Sequence, residues 1–156
     1  MQPAWFYKDA DAMQAILGEE RIKTFHPYRS MLKAGIYING GSDHMVKWDA
    51  NTSINPYNPF LAMWTMITRT TEHGTVIMPE EAITREDALK IYTINNSYAS
   101  FEESLKGSIE PGKLADMAVI SDDFLTCPVD QIKNIQSDLT LVGGNIVYSS
   151  GKFPEK

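Results

Sequence analysis

Apolar residues fall in short bursts along this chain, and the polar residues between them mark where each burst ends. The opening run MQPAWFY is apolar and aromatic, and Pro3 presses Gln2 toward extended geometry, so it reads as the tail of a buried strand or the loop leaving one. From Asp9 to Leu17 the spacing changes to that of a helix. Asp9 can cap it, Ala12, Met13, Ile16 and Leu17 form one stripe, and Gly18 suits its stop. A second helix is predicted from Tyr28 to Lys33. Gly35 then leads into Ile36-Tyr37-Ile38, a short strand ending in Gly40-Gly41, which deliver Ser42 and Asp43. The stretch from Val46 to Pro59 is dense in Asn, Ser, Thr and Pro and reads as a loop, lying where loops often carry function. Helical periodicity resumes from Phe60 to Thr71 through Leu61, Trp64, Met66 and Ile67. Thr84 opens a further helix through Ala88, Leu89, Ile91 and Tyr92, with Asp87 closing a weak capping box.

After Leu105 the pattern shortens to period two. Lys106 to Leu114 is rich in turn residues, and Ala115 to Ile120, Leu139 to Val142 and Ile146 to Tyr148 are short β-rich segments. Gly143-Gly144-Asn145 joins the last two as a tight hairpin. These changes predict a boundary near residue 105, between an α/β part (1–105) and a mostly β part (106–156).

Composition narrows the function classes. With 156 residues, 43% hydrophobic, 22% charged and a net charge of -6, the chain is ordinary for a folded protein, and its acidity argues against nucleic-acid binding. The single cysteine, Cys127, can form no internal disulfide, which fits a reducing compartment. No apolar run approaches the ~18 residues that span a bilayer, and the N-terminus lacks the marks of a signal peptide. A cytoplasmic protein without membrane partners is expected.

Taken in order, LGEERIKTFHPYRSMLKAGIYINGGSD, AITREDALKIYTINNSYAS and KGSIEPGKLADMAVIS with LVGGNIVYSSGK resemble the C-terminal end of the amidohydrolase superfamily. The nearest branch is the amidohydrolase-3 type, which includes N-substituted formamide deformylase-like hydrolases and exoenzyme regulatory protein-like members. The resemblance implies a metal-dependent (β/α)8 TIM barrel and a small β-sandwich. Residues 1–105 would then hold the C-terminal βα units, from strand seven, ending near Met1-Gln2-Pro3, to strand eight and the helices after it. Residues 106–156 would be the C-terminal strands of the sandwich. Asp43, in the Gly-Ser-Asp sequence, would stand at the C-terminal end of strand eight, where barrel active sites lie.

For that position the resemblance implies both a metal ligand and a catalytic proton carrier. A divalent cation, zinc first with iron or manganese as alternatives, lowers the pKa of bound water to about 7, and the carboxylate carries the proton to the leaving amine. Without that resemblance, Asp43 reads as a turn or helix-cap residue. His44 is a candidate substrate-binding residue, against the plainer reading of an exposed loop histidine. The implied substrate is a small-molecule amide, formamide or cyclic amide.

Such barrels need about 250 residues, and the superfamily's His-x-His pair has no counterpart among His26, His44 and His73. The chain is therefore expected to be a C-terminal portion, inactive and metal-free by itself, and to self-associate through uncovered strand edges and helix faces. The alternative is a non-catalytic regulatory or interaction module derived from the same fold. Elsewhere, His26 is expected to pack or face solvent, His73 to end a helix, and Arg69 to form a surface salt bridge. Trp48, Trp64, Tyr57 and Phe60 read as core before cleft, and Asp116 as a turn residue.

Overall fold

The computed structural model of the chain describes residues 1–44 and 49–153. Its first element, α1 (Pro3–Arg21), overturns the expected strand tail at the N-terminus. Pro3 occupies the first turn of the helix, where its missing N–H has no partner to lose, and Gln2 is the cap. Pro3, Ala4, Phe6 and Ala10 are buried. The helical run is interrupted at Gly18, whose φ of 75° is left-handed, as the stop signal implies.

Helix α2 (Tyr28–Lys33) has the predicted bounds, and α3 (Pro59–Thr68) follows the Asn- and Pro-rich loop. Asn58 caps α3: its Oδ1 accepts from the N–H groups of Phe60 and Leu61 at 2.9 and 3.3 Å. The helix stops three residues short of the expected Thr71, because Arg69 turns left-handed (φ 59°). His73 consequently lies in a turn between Thr70 and Val76, which form an antiparallel bridge, and does not end a helix. Helix α4 (Arg85–Tyr92) starts at Thr84, whose hydroxyl accepts from the Asp87 N–H at 3.1 Å, and α5 (Ile94–Ala99) follows at once.

Strands β1 (Met117–Ile120), β2 (Ser137–Val142) and β3 (Asn145–Ser149) form one antiparallel sheet in the order β1-β2-β3. Val142 pairs with Asn145 across Gly143 and Gly144, both at positive φ, which makes the two-residue turn that twisted hairpins favour. Asp116 braces this turn by accepting from the Gly143 N–H at 2.7 Å, the role its sequence context suggested. Between β1 and β2 a 3₁₀ turn (Val129–Asn134) packs on α3, and Phe124, Cys127, Ile132 and Ile135 join Tyr28, Leu61, Trp64 and Ile91 in one core. Arg85 locks this connection to α4, donating to the carbonyls of Phe124 and Cys127 at 2.8 and 2.7 Å.

Arg69 differs most from expectation. It has no exposed area, and its guanidinium lies 3.8 Å from the ring centre of Phe6 and 5.3 Å from that of Tyr28. Its N–H groups reach the carbonyls of His26 and Ile77 at 3.0 and 3.3 Å. Aromatic faces and carbonyl dipoles thus surround the cation where a surface carboxylate was expected. Burial lowers its pKa to about 10, with Tyr28 and Glu81 opposing the shift.

The expected strand at Ile36–Ile38 is absent from the sheet; the segment is extended without a ladder. A strand needs a neighbouring backbone, and here the neighbours are mostly side chains. Asn95 Nδ2 donates to the Ile38 carbonyl at 2.8 Å, while the Asn96 carboxamide accepts from the Gly40 N–H and donates to the Gly40 carbonyl at 3.1 and 3.0 Å. On the other edge, the Met1 ammonium donates to the Asn39 carbonyl at 2.8 Å, and the Gly41 N–H donates to the Met1 carbonyl at 3.1 Å. That is the hydrogen-bond pattern of a single parallel rung.

The molecule exposes 9306 Å², roughly 1,400 Å² more than the roughly 7,900 Å² expected of a compact 17.5 kDa monomer. Phe101, Ile109, Ile146, Val147 and Tyr148 contribute to that surface. No helix among the described residues is long and apolar enough to cross a membrane.

Candidate functional site

The segment leading to Asp43 is held from three directions. Ile38 is buried in the core, Gly40 is tied to Asn96 and to the Ile91 carbonyl, and Gly41 bonds to Met1. At Gly40 a side chain has no room: a Cβ there would lie 2.7 Å from Tyr92 Cε2 and 3.0 Å from Ile91 Cγ2. Gly41 is different, with nothing within 4 Å of such an atom, so close approach explains the first glycine of the pair and not the second.

Asp43 follows in the left-handed region with φ 50°. Aspartate reaches this conformation more readily than most residues, and strained backbone of this kind concentrates at functional sites. Its side chain is exposed and caps no helix among the described residues. Its main-chain carbonyl accepts a hydrogen bond from the side-chain amide of Asn55, while its carboxylate has no hydrogen bond or ion pair with any described residue.

His44 is half-buried. Its Nδ1 lies 2.9 Å from the Asn55 carbonyl, and its ring meets Tyr57 edge-on with centres 4.6 Å apart. Asn55 itself is 2% exposed and therefore holds both neighbours from inside the loop. Sequence reasoning missed Asn55, Asn95 and Asn96. The available signal was a pair of asparagines early in a helix, where that residue is a poor helix former and so suggests a side-chain task.

The other candidates lie elsewhere. His26 packs against Phe25, Phe6 and Tyr28, sharing a 2.6 Å hydrogen bond with the Tyr28 hydroxyl, and burial together with Arg69 lowers its pKa to about 4. Trp64 is a core residue, with Lys133 4.3 Å above its ring, and Trp48 lies outside the described residues. A cavity of about 960 Å³ opens between α3 to α5 and β1, lined by Phe60, Met63, Leu89, Tyr92, Met117 and Phe124 among others. Neither Asp43 nor His44 borders it.

No group of three or more His, Cys, Asp or Glu side chains among the described residues could hold a metal ion. Asp43 offers one carboxylate and His44 one imidazole, which falls short of the three protein ligands typical of a catalytic zinc. These residues do not make a metal centre by themselves.

Comparison with known proteins gives this geometry a context. The chain is 38% identical over 130 residues to the N-substituted formamide deformylase of Arthrobacter pascens, covering 83% of this chain and 22% of that protein. It is 27% identical over 151 residues to the putative amidohydrolase YtcJ of Bacillus subtilis, covering 95% of this chain and 27% of that one. Protein LONG AFTER FAR-RED 3 of Arabidopsis thaliana is 31% identical over 155 residues, 95% of this chain and 24% of the relative. The chain thus spans about a quarter of the length of these relatives. A crystal structure of an amidohydrolase from Thermotoga maritima superposes with a TM-score of 0.57 at 24% identity, over 85% of this chain and 28% of that one, a likeness of fold. The family model described as "Amidohydrolase family" matches residues 1–148, nearly the whole of the sequence, and the chain accordingly belongs to the amidohydrolase family.

Proposed function

We propose that the chain is the C-terminal portion of a metal-dependent amidohydrolase that cleaves a C–N bond of a small amide, formamide or cyclic amide. The observation that carries this reading is the exposed, unpartnered carboxylate of Asp43, set in a left-handed turn at the end of an extended segment. In the intact protein, residues 1–105 would form the last βα units of the barrel, and the parallel rung between Met1 and the Asn39–Gly41 segment supports a strand seven beside strand eight. Residues 106–156 would complete the sandwich.

Asp43 would take the proton of the attacking water and return it to the leaving amine nitrogen, so that carboxylate and carboxylic acid alternate within one turnover. Because the described residues fall short of a metal centre, Asp43 would be one ligand among several, the others lying outside these 156 residues. The fragment by itself would be inactive and metal-free. Its excess exposed surface supports self-association when it is isolated.

The test uses the intact protein. Stoichiometric zinc, iron or manganese together with hydrolysis of a simple formamide or amide is the expected result. A metal-free, inactive intact protein would instead support a regulatory or interaction module.

A further inference from the structure

We propose that His44 reads the hydrogen on the substrate's amide nitrogen, accepting it at Nε2, so that the site selects amides that retain an N–H. This rests on the hydrolase reading above and adds the substrate class. A carbonyl oxygen can only accept, so the 2.9 Å contact between His44 Nδ1 and the Asn55 carbonyl puts the proton on Nδ1. The neutral ring then carries a bare lone pair at Nε2. The edge-on contact with Tyr57 fixes the ring plane, and hence the direction of that lone pair.

Asn55 sets His44 and Asp43 together. Its backbone carbonyl holds the imidazole, and its side-chain amide donates to the Asp43 carbonyl, all from a position 2% exposed. No described residue bonds to Nε2. The pair therefore presents two acceptors side by side, a carboxylate and an imidazole nitrogen. Acceptors repel the carbonyl oxygen of an amide and attract its N–H. An N,N-disubstituted amide would press an alkyl group against Nε2 and leave that nitrogen unpaired, which a polar site penalises. The nitrogen held in this way is also the one to which Asp43 would deliver its proton.

Two measurements test this. The first is the kcat/KM of the intact protein for an N-monosubstituted formamide against its N,N-disubstituted analogue, in wild type and in His44→Phe, which keeps a ring against Tyr57. Wild type should prefer the monosubstituted substrate by about 10-fold or more, and His44→Phe should lose that preference. A variant that keeps it overturns the inference and leaves the hydrolase reading standing. The second is ¹⁵N NMR of the imidazole in the 156-residue chain, with the His44 signal assigned by its loss in His44→Phe. A proton on Nδ1 supports the inference, and a proton on Nε2 overturns it. Wild-type protein inactive toward both amides overturns the hydrolase reading, and the substrate assignment with it.

Discussion

His26 sits between the rings of Phe25, Phe6 and Tyr28, and its pKa is lowered to about 4, first by burial and then by the charges of Arg69 and the N-terminal ammonium. The unfolded chain binds this proton near pH 6.5 and the folded chain only near pH 4. Above pH 6.5 the neutral ring contributes fully to stability. As pH falls from 6.5 to 4 the unfolded state gains a proton that the fold refuses, and stability drops by up to about 3 kcal/mol. Urea unfolding at pH 7 and pH 4.5 should show that loss, and His26→Asn, which tolerates the same left-handed backbone (φ 55°), should remove most of it. Equal losses in both proteins would mean that another group controls acid sensitivity. Asp43 shares the left-handed backbone of His26 without its burial, and so remains available for chemistry.

Among elements, the segment from Ile36 to Gly41 depends most on its neighbours. Gly40→Ala would drive a methyl into Tyr92 and Ile91, costing about 1–3 kcal/mol, whereas Gly41→Ala meets nothing and should stay within about 0.5 kcal/mol of wild type. Thermal unfolding of the two variants checks this, and equal destabilisation would contradict the packing described. The same segment shows what could be read from sequence and what could not. Helix α2, the Thr84 cap and the Gly143-Gly144 hairpin follow from signals within a few residues, and each appears where those signals put it. Ile36–Ile38 was expected to pair as a strand, but pairing depends on which backbone arrives alongside, and here Asn95, Asn96 and Met1 arrive. Pro3 carried two local meanings, extended geometry before it and helix start at it, and only the burial of Phe6 and Ala10 chose between them. Asp43 was visible through the order of three motifs. Asn55 was not, because its task joins positions 11 and 12 residues apart across a polar loop.

On the scale of the whole molecule, surface area is the telling quantity. The roughly 1,400 Å² of excess exposure approaches the total area buried in a standard protein–protein interface, roughly 1,600 Å². Both faces of the small sheet carry exposed apolar side chains, and β1 and β3 are edge strands containing no charged residue to deter pairing. Sedimentation of the isolated chain should therefore show concentration-dependent association, while a compact monomer at every concentration would contradict this view of its surface. In the intact protein, the residues missing from this quarter-length chain would cover the same surface and bring the remaining ligands toward Asp43.

The most direct test of that arrangement is the kcat of the intact protein after Asp43→Asn, a change that preserves shape and removes the proton-carrying charge. The account predicts a loss of at least about 100-fold with folding intact. Turnover within about threefold of wild type would show that the carboxylate carries no proton in the reaction.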